Sequence, residues 1–203
     1  HYPLKAIIKI TLKAQWKEKN RISTEERGTP IHNAIELYLL KDCSSKEICE
    51  AVNLKKEYKP FVDYVDRIDY KGRGAMLHPE VLVYSDEYKL AGQSDLMLEY
   101  EDYLEIYDWK TNAGKDLTHE CPYNNRFSAP LQKLQAGKLS MYAMQLAIYS
   151  VFAEKIFNKP VKKCSIIHFK DADSILEYDM EDYTTYARTL LDAYLNKYTK
   201  IAE

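Results

Sequence analysis

Asp95 and Asp108 are two acidic residues that a predicted β-hairpin brings together. Residues 88–99 and 103–109 are rich in β-branched, aromatic and alternating side chains, and the polar segment between them is a natural turn. If that turn is centred on residues 101 and 102, Asp95 lies directly opposite Asp108 on one face of the sheet. Side chains opposed in this way are about 4.5 to 5.5 Å apart at Cβ, and two like charges there destabilise a sheet unless a positive charge lies between them. The hairpin therefore predicts a divalent cation between these two carboxylates.

Lys110 adds a cationic group to the same face of the second predicted strand. It shares that face with Asp108 and with the apolar residues at positions 104 and 106, so this face carries two apolar residues, then an acid and then a lysine. Oxygen ligands of this kind suit Mg²⁺ or Mn²⁺, and a lysine beside them can hold a phosphate or an attacking water.

The acid-x-lysine pattern does not identify such a site by itself, because it occurs four times in the chain. The four occurrences are Glu57–Lys59, Asp69–Lys71, Glu87–Lys89 and Asp108–Lys110. Only the last one closes an alternating strand whose hairpin partner offers a second acid on the same face. A solvated hairpin edge with ordinary surface charges is the alternative that these residues leave open.

Four short motifs follow one another between residues 28 and 149. They are Gly28-Thr29-Pro30-Ile31-His32, Gly92-Gln93-Ser94-Asp95, Asp108-Trp109-Lys110-Thr111 and Gln145-Leu146-Ala147-Ile148-Tyr149. In this order and at this spacing they resemble the RecB-type branch of the PD-(D/E)XK nucleases. Each motif is weak alone, but the four together are specific, and the resemblance covers most of the chain. It implies an α/β fold with a restriction-endonuclease-like core, in which a central mixed β-sheet is flanked by helices in the order α-β-β-β-α-β.

The resemblance implies a role for each charged residue of these motifs. Asp95 and Asp108 would be direct metal ligands, with the backbone carbonyl of Trp109 as a third. Lys110 would orient the nucleophilic water or stabilise the negative charge that develops during phosphoryl transfer. His32 would complete the coordination of the metal, and its place in a first helical turn disfavours positive charge and so favours the neutral imidazole that can bind a metal.

Further residues join this site by position. Glu80 follows a proline and opens the predicted strand before the hairpin, where some relatives place another catalytic acid; a surface glutamate at a strand edge is the alternative. Gln145 and Tyr149 are four residues apart on one helical face and can reach the same phosphate or the metal ligands, although a core helix with one polar residue at its boundary would show the same pattern. Glu36 lies one turn after His32 and can hydrogen-bond the imidazole.

The remaining elements are predicted from periodicity and breakers. Helices are predicted over 4–20, from Pro30 onwards, over 45–69 with an interruption near Pro60, over 131–158 and over 181–200. Strands are predicted over 80–84 and 161–170, a loop over 71–74 and a long loop over 112–130. Ser23 to Glu26 matches a capping box. The chain also has 18 tyrosines; stacking of bases is one use for some of them, and packing with a wet hydroxyl is the use expected for most.

Length and composition indicate one nuclease domain spanning 1–203, with a helical N-terminal part over about 1–75 and a nuclease core over about 76–203. The net charge of −2 argues against a polybasic protein that binds DNA without specificity, and no run of 18 or more apolar residues predicts a membrane span. The chain starts at His1, which suggests a fragment of a larger protein. We expect an intracellular protein in the cytoplasm or nucleoid, with a nucleus or organelle left open.

The cysteines do not suggest a metal cluster. Cys43, Cys49, Cys121 and Cys164 are scattered, without the Cys-x-x-Cys spacing of a zinc site. Some RecB-type nucleases hold a [4Fe-4S] cluster on one cysteine before the core and three near the C-terminus, and this chain lacks that group of three. The expected cofactor is therefore Mg²⁺ or Mn²⁺ and not an iron-sulfur cluster.

The resemblance implies a metal-dependent deoxyribonuclease that hydrolyses phosphodiester bonds with a metal-activated water, most typically an exonuclease in recombination, repair, or phage and viral DNA processing. DNA is the expected partner, with single or double strands left open. Because the chain lacks a glycine-rich P-loop, ATP-driven movement would come from a helicase or recombination partner. Two alternatives remain: a catalytically weak DNA-binding or scaffolding module of the same fold, and a nuclease that acts on RNA.

Overall fold

The computed structural model of the protein describes residues 31–39, 59–68, 72–111, 116–121, 123–171 and 174–199. Within these ranges the strands are β1 (Met76–Ser85), β2 (Leu90–Glu99), β3 (Leu104–Lys110), β4 (Val161–Phe169) and β5 (Ile175–Asp179). The helices are α1 (residues 31–39), α2 (Lys59–Asp66), α3 (Lys138–Phe157) and α4 (Thr184–Thr199). The predicted helix over 4–20, the capping box and most of the helix over 45–69 lie outside the described residues.

The five strands form one sheet in the order β1-β2-β3-β4-β5. β3 and β4 are parallel, which requires a crossover that α3 supplies, and the other neighbouring strands are antiparallel. One hydrophobic cluster joins the sheet to α3 and α4, and a second joins it to α1 and α2. The predicted α/β fold, a mixed sheet flanked by helices with the order α-β-β-β-α-β, is therefore confirmed.

The β2–β3 hairpin has the predicted register. Glu99 pairs with Leu104, and the ladder continues in step as far as Leu96 opposite Tyr107. It ends there, one residue before the position at which Asp95 and Asp108 would face each other. Beyond that point the Asp95 side chain, and not a backbone pair, connects the two strands.

β1 differs from its prediction, because it begins at Met76 and Glu80 lies in its middle instead of opening it. The sequence suggests a later start because Pro79 cannot donate a ladder hydrogen bond, but β1 is the edge strand of the sheet, where a proline is tolerated. Glu80 has a φ of 49°, in the left-handed region that residues other than glycine rarely adopt. The side-chain amide of Gln93 donates a hydrogen bond of 3.3 Å to the backbone carbonyl of Glu80 and holds this turn of the backbone.

The β1–β2 pair changes face at Glu80. On one side of it, Leu77 pairs with Leu98, and both belong to the cluster of α1 and α2. On the other side, Val83 pairs with Gly92, and this pair faces α3. Unbroken alternation would place Val83 on the same face as Leu77, because the two residues are an even number of positions apart. Along β1, the left-handed Glu80 accounts for the change, because one such conformation reverses the alternation of side chains. Side chains around Glu80 can therefore reach elements on both faces of the sheet.

α3 begins at Lys138, seven residues after the predicted start at 131. The apolar residues at 131 and 134 suit a helix, but the backbone of this segment pairs with the preceding loop: Phe127 N–H donates to the Leu134 carbonyl at 3.1 Å, and Ala136 N–H donates to the Asn125 carbonyl at 2.9 Å. Gly137 then starts the helix against the carbonyl of His119, where a Cβ would overlap with the backbone.

The end of the chain adds one strand to the prediction. β5 pairs antiparallel with the predicted strand β4 and leaves α4 to begin at Thr184 instead of residue 181. The Asp182 carboxylate accepts the backbone N–H of Thr184 at 2.8 Å and so caps the first turn of α4. Across the described ranges, no helix combines the length and the apolar composition that crossing a bilayer requires.

Candidate metal centre and active site

Three ligand-bearing side chains from three elements meet where β1 and β2 change face. His32 of α1, Glu80 of β1 and Asp95 of β2 each offer one atom, and these atoms lie within 4.8 Å of one another. His32 Nδ1 is 3.5 Å from Asp95 Oδ1. Ligand atoms on opposite sides of Mg²⁺ are about 4 Å apart, because each metal–oxygen distance is about 2.1 Å. The three side chains therefore fit a single divalent cation with little adjustment.

Asp95 is held in place by its second carboxylate oxygen. Asp95 Oδ2 accepts the backbone N–H of Trp109 at 2.6 Å, at the point where the β2–β3 ladder ends. The Trp109 indole is 1% exposed and packs into the cluster of α1 and α2, which fixes the backbone that donates this bond. The side chain of Asp95 thus replaces a backbone pair and leaves Oδ1 facing His32.

Asp108 and Lys110 form a buried ion pair beside the three ligands. Asp108 is 2% exposed, and the Lys110 ammonium contacts its Oδ2 atom. The ammonium also lies 4.5 Å from the centre of the Tyr142 ring, a cation–π contact. The residues predicted for the site did not include Tyr142. It lies three residues before Gln145 and seven before Tyr149, and this spacing could have placed it on the same helical face.

Gln145 and Tyr149 of α3 complete a chain of polar contacts that ends at Asp108. Gln145 Nε2 is 3.5 Å from Asp108 Oδ1 and 3.0 Å from the Tyr149 hydroxyl oxygen, to both of which it can donate. The Tyr149 ring covers Gly92 so closely that a Cβ at residue 92 would overlap with it and lie 2.8 Å from Cζ. A glycine in the Gly92-Gln93-Ser94-Asp95 motif therefore allows α3 to approach the sheet at this site.

The surroundings of His32 oppose the preference for a neutral imidazole that the helix start predicts. Burial lowers the pKa of His32, but its hydrogen bond to Asp95 and the negative charges of Asp95 and Asp108 outweigh burial and raise the pKa above its ordinary value. The prediction considered only the helix start, whereas two carboxylates lie within range of the imidazole. The imidazole binds metals in its neutral form, so cation binding at His32 would compete with protons.

The Glu80 and Asp108 carboxyl groups are hard to ionise. Burial and the charge of Asp95 raise the pKa of Glu80 from its ordinary 4.5 to about 7. Burial raises the pKa of Asp108 as well, opposed by Lys110 and assisted by Asp95. Burial lowers the pKa of Lys110, but the charges of Asp108 and Asp95 exceed that effect and raise it. The arrangement concentrates negative charge that a cation would stabilise.

The structure thus brings seven predicted side chains to one place, in two adjoining groups. The groups are His32, Glu80 and Asp95, and then Asp108, Lys110, Gln145 and Tyr149. Glu36 is placed where its charge acts on Glu80. The metal-ligand roles of Asp108 and of the Trp109 carbonyl, and the contact of Glu36 with the imidazole, stay predictions.

Glu80→Gln is expected to stabilise the cation-free protein at pH 8. Because the folded-state pKa of Glu80 is raised, ionisation favours the unfolded chain as the pH rises from 4.5 to about 7, and stability is lost over that window. Glu80 is only partly shielded from solvent, so we expect a gain of roughly 1 kcal/mol at pH 8, or about 2 to 4 °C in Tm, and none at pH 4. Thermal unfolding in EDTA at both pH values measures this.

The matched control is Glu101→Gln in the exposed β2–β3 turn, which should leave Tm unchanged at both pH values. In the same assay, adding Mn²⁺ should raise the Tm of the wild-type protein and have little effect on Glu80→Gln. A Glu80→Gln protein that is less stable than wild type in EDTA at pH 8 would contradict the electrostatic account of this site.

Comparison with known proteins supports the fold. No protein-family model and no curated protein matches the chain. The crystal structure of a putative exonuclease from Eubacterium rectale matches 90% of this chain and 67% of that chain, with 13% sequence identity and a TM-score of 0.50. The protein SSO0001 matches 91% of this chain and 82% of that chain at 16% identity, but its TM-score of 0.36 is too low to establish a shared fold. The chain therefore shares its α/β fold with the Eubacterium rectale protein.

Proposed function

We propose that the protein is a Mg²⁺- or Mn²⁺-dependent nuclease of the RecB-type branch of the PD-(D/E)XK nucleases, hydrolysing DNA phosphodiester bonds as an exonuclease. One observation carries this proposal: His32, Glu80 and Asp95, which could hold a cation, adjoin the Asp108–Lys110 pair where the β2–β3 ladder ends. The shared fold with a protein described as a putative exonuclease supports it.

Lys110 places a positive charge beside the residues that could hold the cation. An ammonium that is buried next to two carboxylates stays charged, because their charges raise its pKa. It therefore keeps a positive charge at the site in the pH range of the cell. A phosphate that enters beside Asp95 would meet this charge, which stabilises the negative charge that develops on the phosphoryl oxygens.

A divalent cation, when bound to His32, Glu80 and Asp95, supplies positive charge that lowers the pKa of water and neutralises the phosphate. Glu80, which would hold this cation as a carboxylate, would then be ionised, because the positive charge offsets the charge of Asp95 that contributes to its raised pKa. Gln145 and Tyr149 orient the Asp108 carboxylate and can contact the phosphate from the α3 side. Nothing in this set requires a covalent intermediate, so direct attack by water is the proposed route.

The donor set favours Mn²⁺ as the activating cation. Two carboxylates suit Mg²⁺ and Mn²⁺ alike, but an imidazole is a better ligand for a transition metal than for Mg²⁺. We expect cleavage in both metals, with activity at lower concentrations of Mn²⁺.

The test is a panel of linear and circular single- and double-stranded DNA, and of RNA, each incubated with the protein in Mn²⁺, in Mg²⁺ and in EDTA. The proposal expects linear DNA to be degraded from its ends in either metal and circles to resist. Cleavage of circles would make the protein an endonuclease, and cleavage of RNA alone would reassign the substrate. DNA that binds but stays intact in every metal would indicate a scaffolding module and sink the proposal.

A further inference from the structure

The backbone ladders on both sides of β2 are interrupted at Asp95. The β1–β2 ladder keeps one register from Met76 to Ser85, and this register sets Glu80 opposite Asp95, but within that described stretch this pair alone is missing. On the other side of β2, the β2–β3 ladder ends at the residue next to Asp95. The candidate cation site therefore lies where β2 loses its regular backbone partners in both neighbouring strands.

Two side chains of β2 supply bonds where the ladders stop. Towards β3, Asp95 Oδ2 accepts the backbone N–H of Trp109 at 2.6 Å. Towards β1, Gln93 Nε2 donates to the backbone carbonyl of Glu80 at 3.3 Å. A ladder carbonyl ordinarily accepts a backbone N–H of the neighbouring strand, so the side-chain amide of Gln93 takes the place of that donor.

The bond from Gln93 acts on a residue with an unusual backbone conformation. Glu80 has a left-handed φ of 49°, and in this conformation one of its carboxylate oxygens lies within 4.8 Å of the ligand atoms of His32 and Asp95. The cost of a left-handed conformation is comparable with the net contribution of one hydrogen bond. With the flanking ladder pairs held fixed, loss of the bond would let Glu80 relax towards the extended conformation and move its carboxylate away from the other two ligands.

We infer that Gln93 is a positioning residue of the candidate cation site: its side-chain amide holds Glu80 in the conformation that binds the cation. The inference rests on the proposed function and deepens it, because it assigns part of the cation affinity to a residue that is not among the proposed ligands. Gln93 is exposed, so replacing it removes the hydrogen bond with little change in packing.

The test compares Gln93→Met with the wild-type protein in the absence of DNA. Methionine keeps an unbranched side chain of similar length and lacks the N–H donor. Calorimetric titration with MnCl₂ should show an affinity about five-fold weaker, because loss of one hydrogen bond lowers the population of the binding conformation. In the metal-free protein, the NMR coupling constant between the amide and α protons of Glu80, which depends on φ, should move towards the value of an extended strand.

Folding is checked by thermal unfolding in EDTA, where Gln93→Met should change Tm by less than about 2 °C. Gln132→Met makes the same change at another exposed glutamine and should leave both the Mn²⁺ affinity and the coupling constant unchanged. If Gln93→Met does not fold, Gln93→Asn takes its place, because its side chain is one methylene shorter and holds the amide away from the Glu80 carbonyl.

An unchanged coupling constant would overturn the inference, since Glu80 would then keep its conformation without the bond. An unchanged Mn²⁺ affinity would overturn it as well. In either case, a wild-type protein that binds Mn²⁺ and cleaves DNA would leave the proposed function standing. A wild-type protein that neither binds Mn²⁺ nor cleaves DNA would overturn both.

Discussion

Replacing Asp108 by asparagine is expected to slow Mn²⁺-dependent cleavage of linear DNA by about 10³-fold or more, in a protein that stays folded. The carboxylate is 2% exposed, contacts the Lys110 ammonium and lies next to Asp95. Its loss removes both a charge that the cation needs and the partner that positions Lys110, and electrostatic effects of several kcal/mol at a transition state correspond to this factor. Initial rates on end-labelled DNA measure the effect.

We expect the fold to be retained, because an asparagine has nearly the volume of the aspartate. Thermal unfolding of the same preparation checks this. Asp192→Asn makes the same chemical change on an exposed face of α4 and should leave the rate within two-fold. If Asp108→Asn cleaved at a rate near wild type, the assignment of the site to this carboxylate would have to be abandoned.

Gly92→Ala is expected to damage both stability and activity, although the substitution adds a single methyl group. The new Cβ would overlap with the ring of Tyr149, which is 7% exposed. Overpacking of this kind costs about 1 to 3 kcal/mol. Because the Tyr149 hydroxyl is the partner of Gln145, displacement of the ring also disturbs the contact of Gln145 with Asp108.

A double-mutant cycle tests whether the effect of Gly92→Ala comes from the overlap of the new Cβ with Tyr149. Tyr149→Ala removes the ring and costs stability by itself, but adding Gly92→Ala to it should then cost much less than Gly92→Ala costs in the wild-type protein. Denaturant unfolding of the four proteins gives the coupling free energy. Strict additivity would show that the alanine acts through the strand backbone and not through Tyr149.

Local chemistry explains why the hairpin could be predicted from the sequence. A short polar turn between two alternating strands leaves few registers, and a slip by one residue would move Leu96 and Leu98 from the cluster of α1 and α2 to the opposite face of the sheet. The same argument placed Asp95 directly opposite Asp108 on one face of the sheet. It could not show that the ladder stops at Leu96, because that depends on a bond from Trp109 to a side chain.

The conformation of Glu80 could not be predicted, and it has the largest consequence for the site. Nothing in its residue type favours a left-handed φ; the bond from Gln93 across the strand pair and the surrounding packing impose it. The change of face at Glu80 brings this acid to His32 and Asp95. The pattern therefore suggested Glu80 by position alone, and the structure supplies the reason why it belongs with these two residues.

The prediction of where α3 starts was wrong for a related reason. Apolar periodicity around Leu131 and Leu134 resembles a helix, but the loop before it takes the backbone hydrogen bonds of this segment. β5 was missed because it is a short, half-exposed edge strand whose formation depends on β4. Elements that depend on partners distant in sequence are the ones that periodicity does not predict.

The most direct test of the central claim is the rate at which the wild-type protein cleaves end-labelled linear DNA in Mn²⁺ and in EDTA. The proposed site predicts progressive loss of label from the DNA in Mn²⁺ and intact DNA in EDTA, with activity restored when Mn²⁺ is added in excess. DNA that stays intact in Mn²⁺ and in Mg²⁺ with a folded protein, or that is cut equally in EDTA, would contradict it.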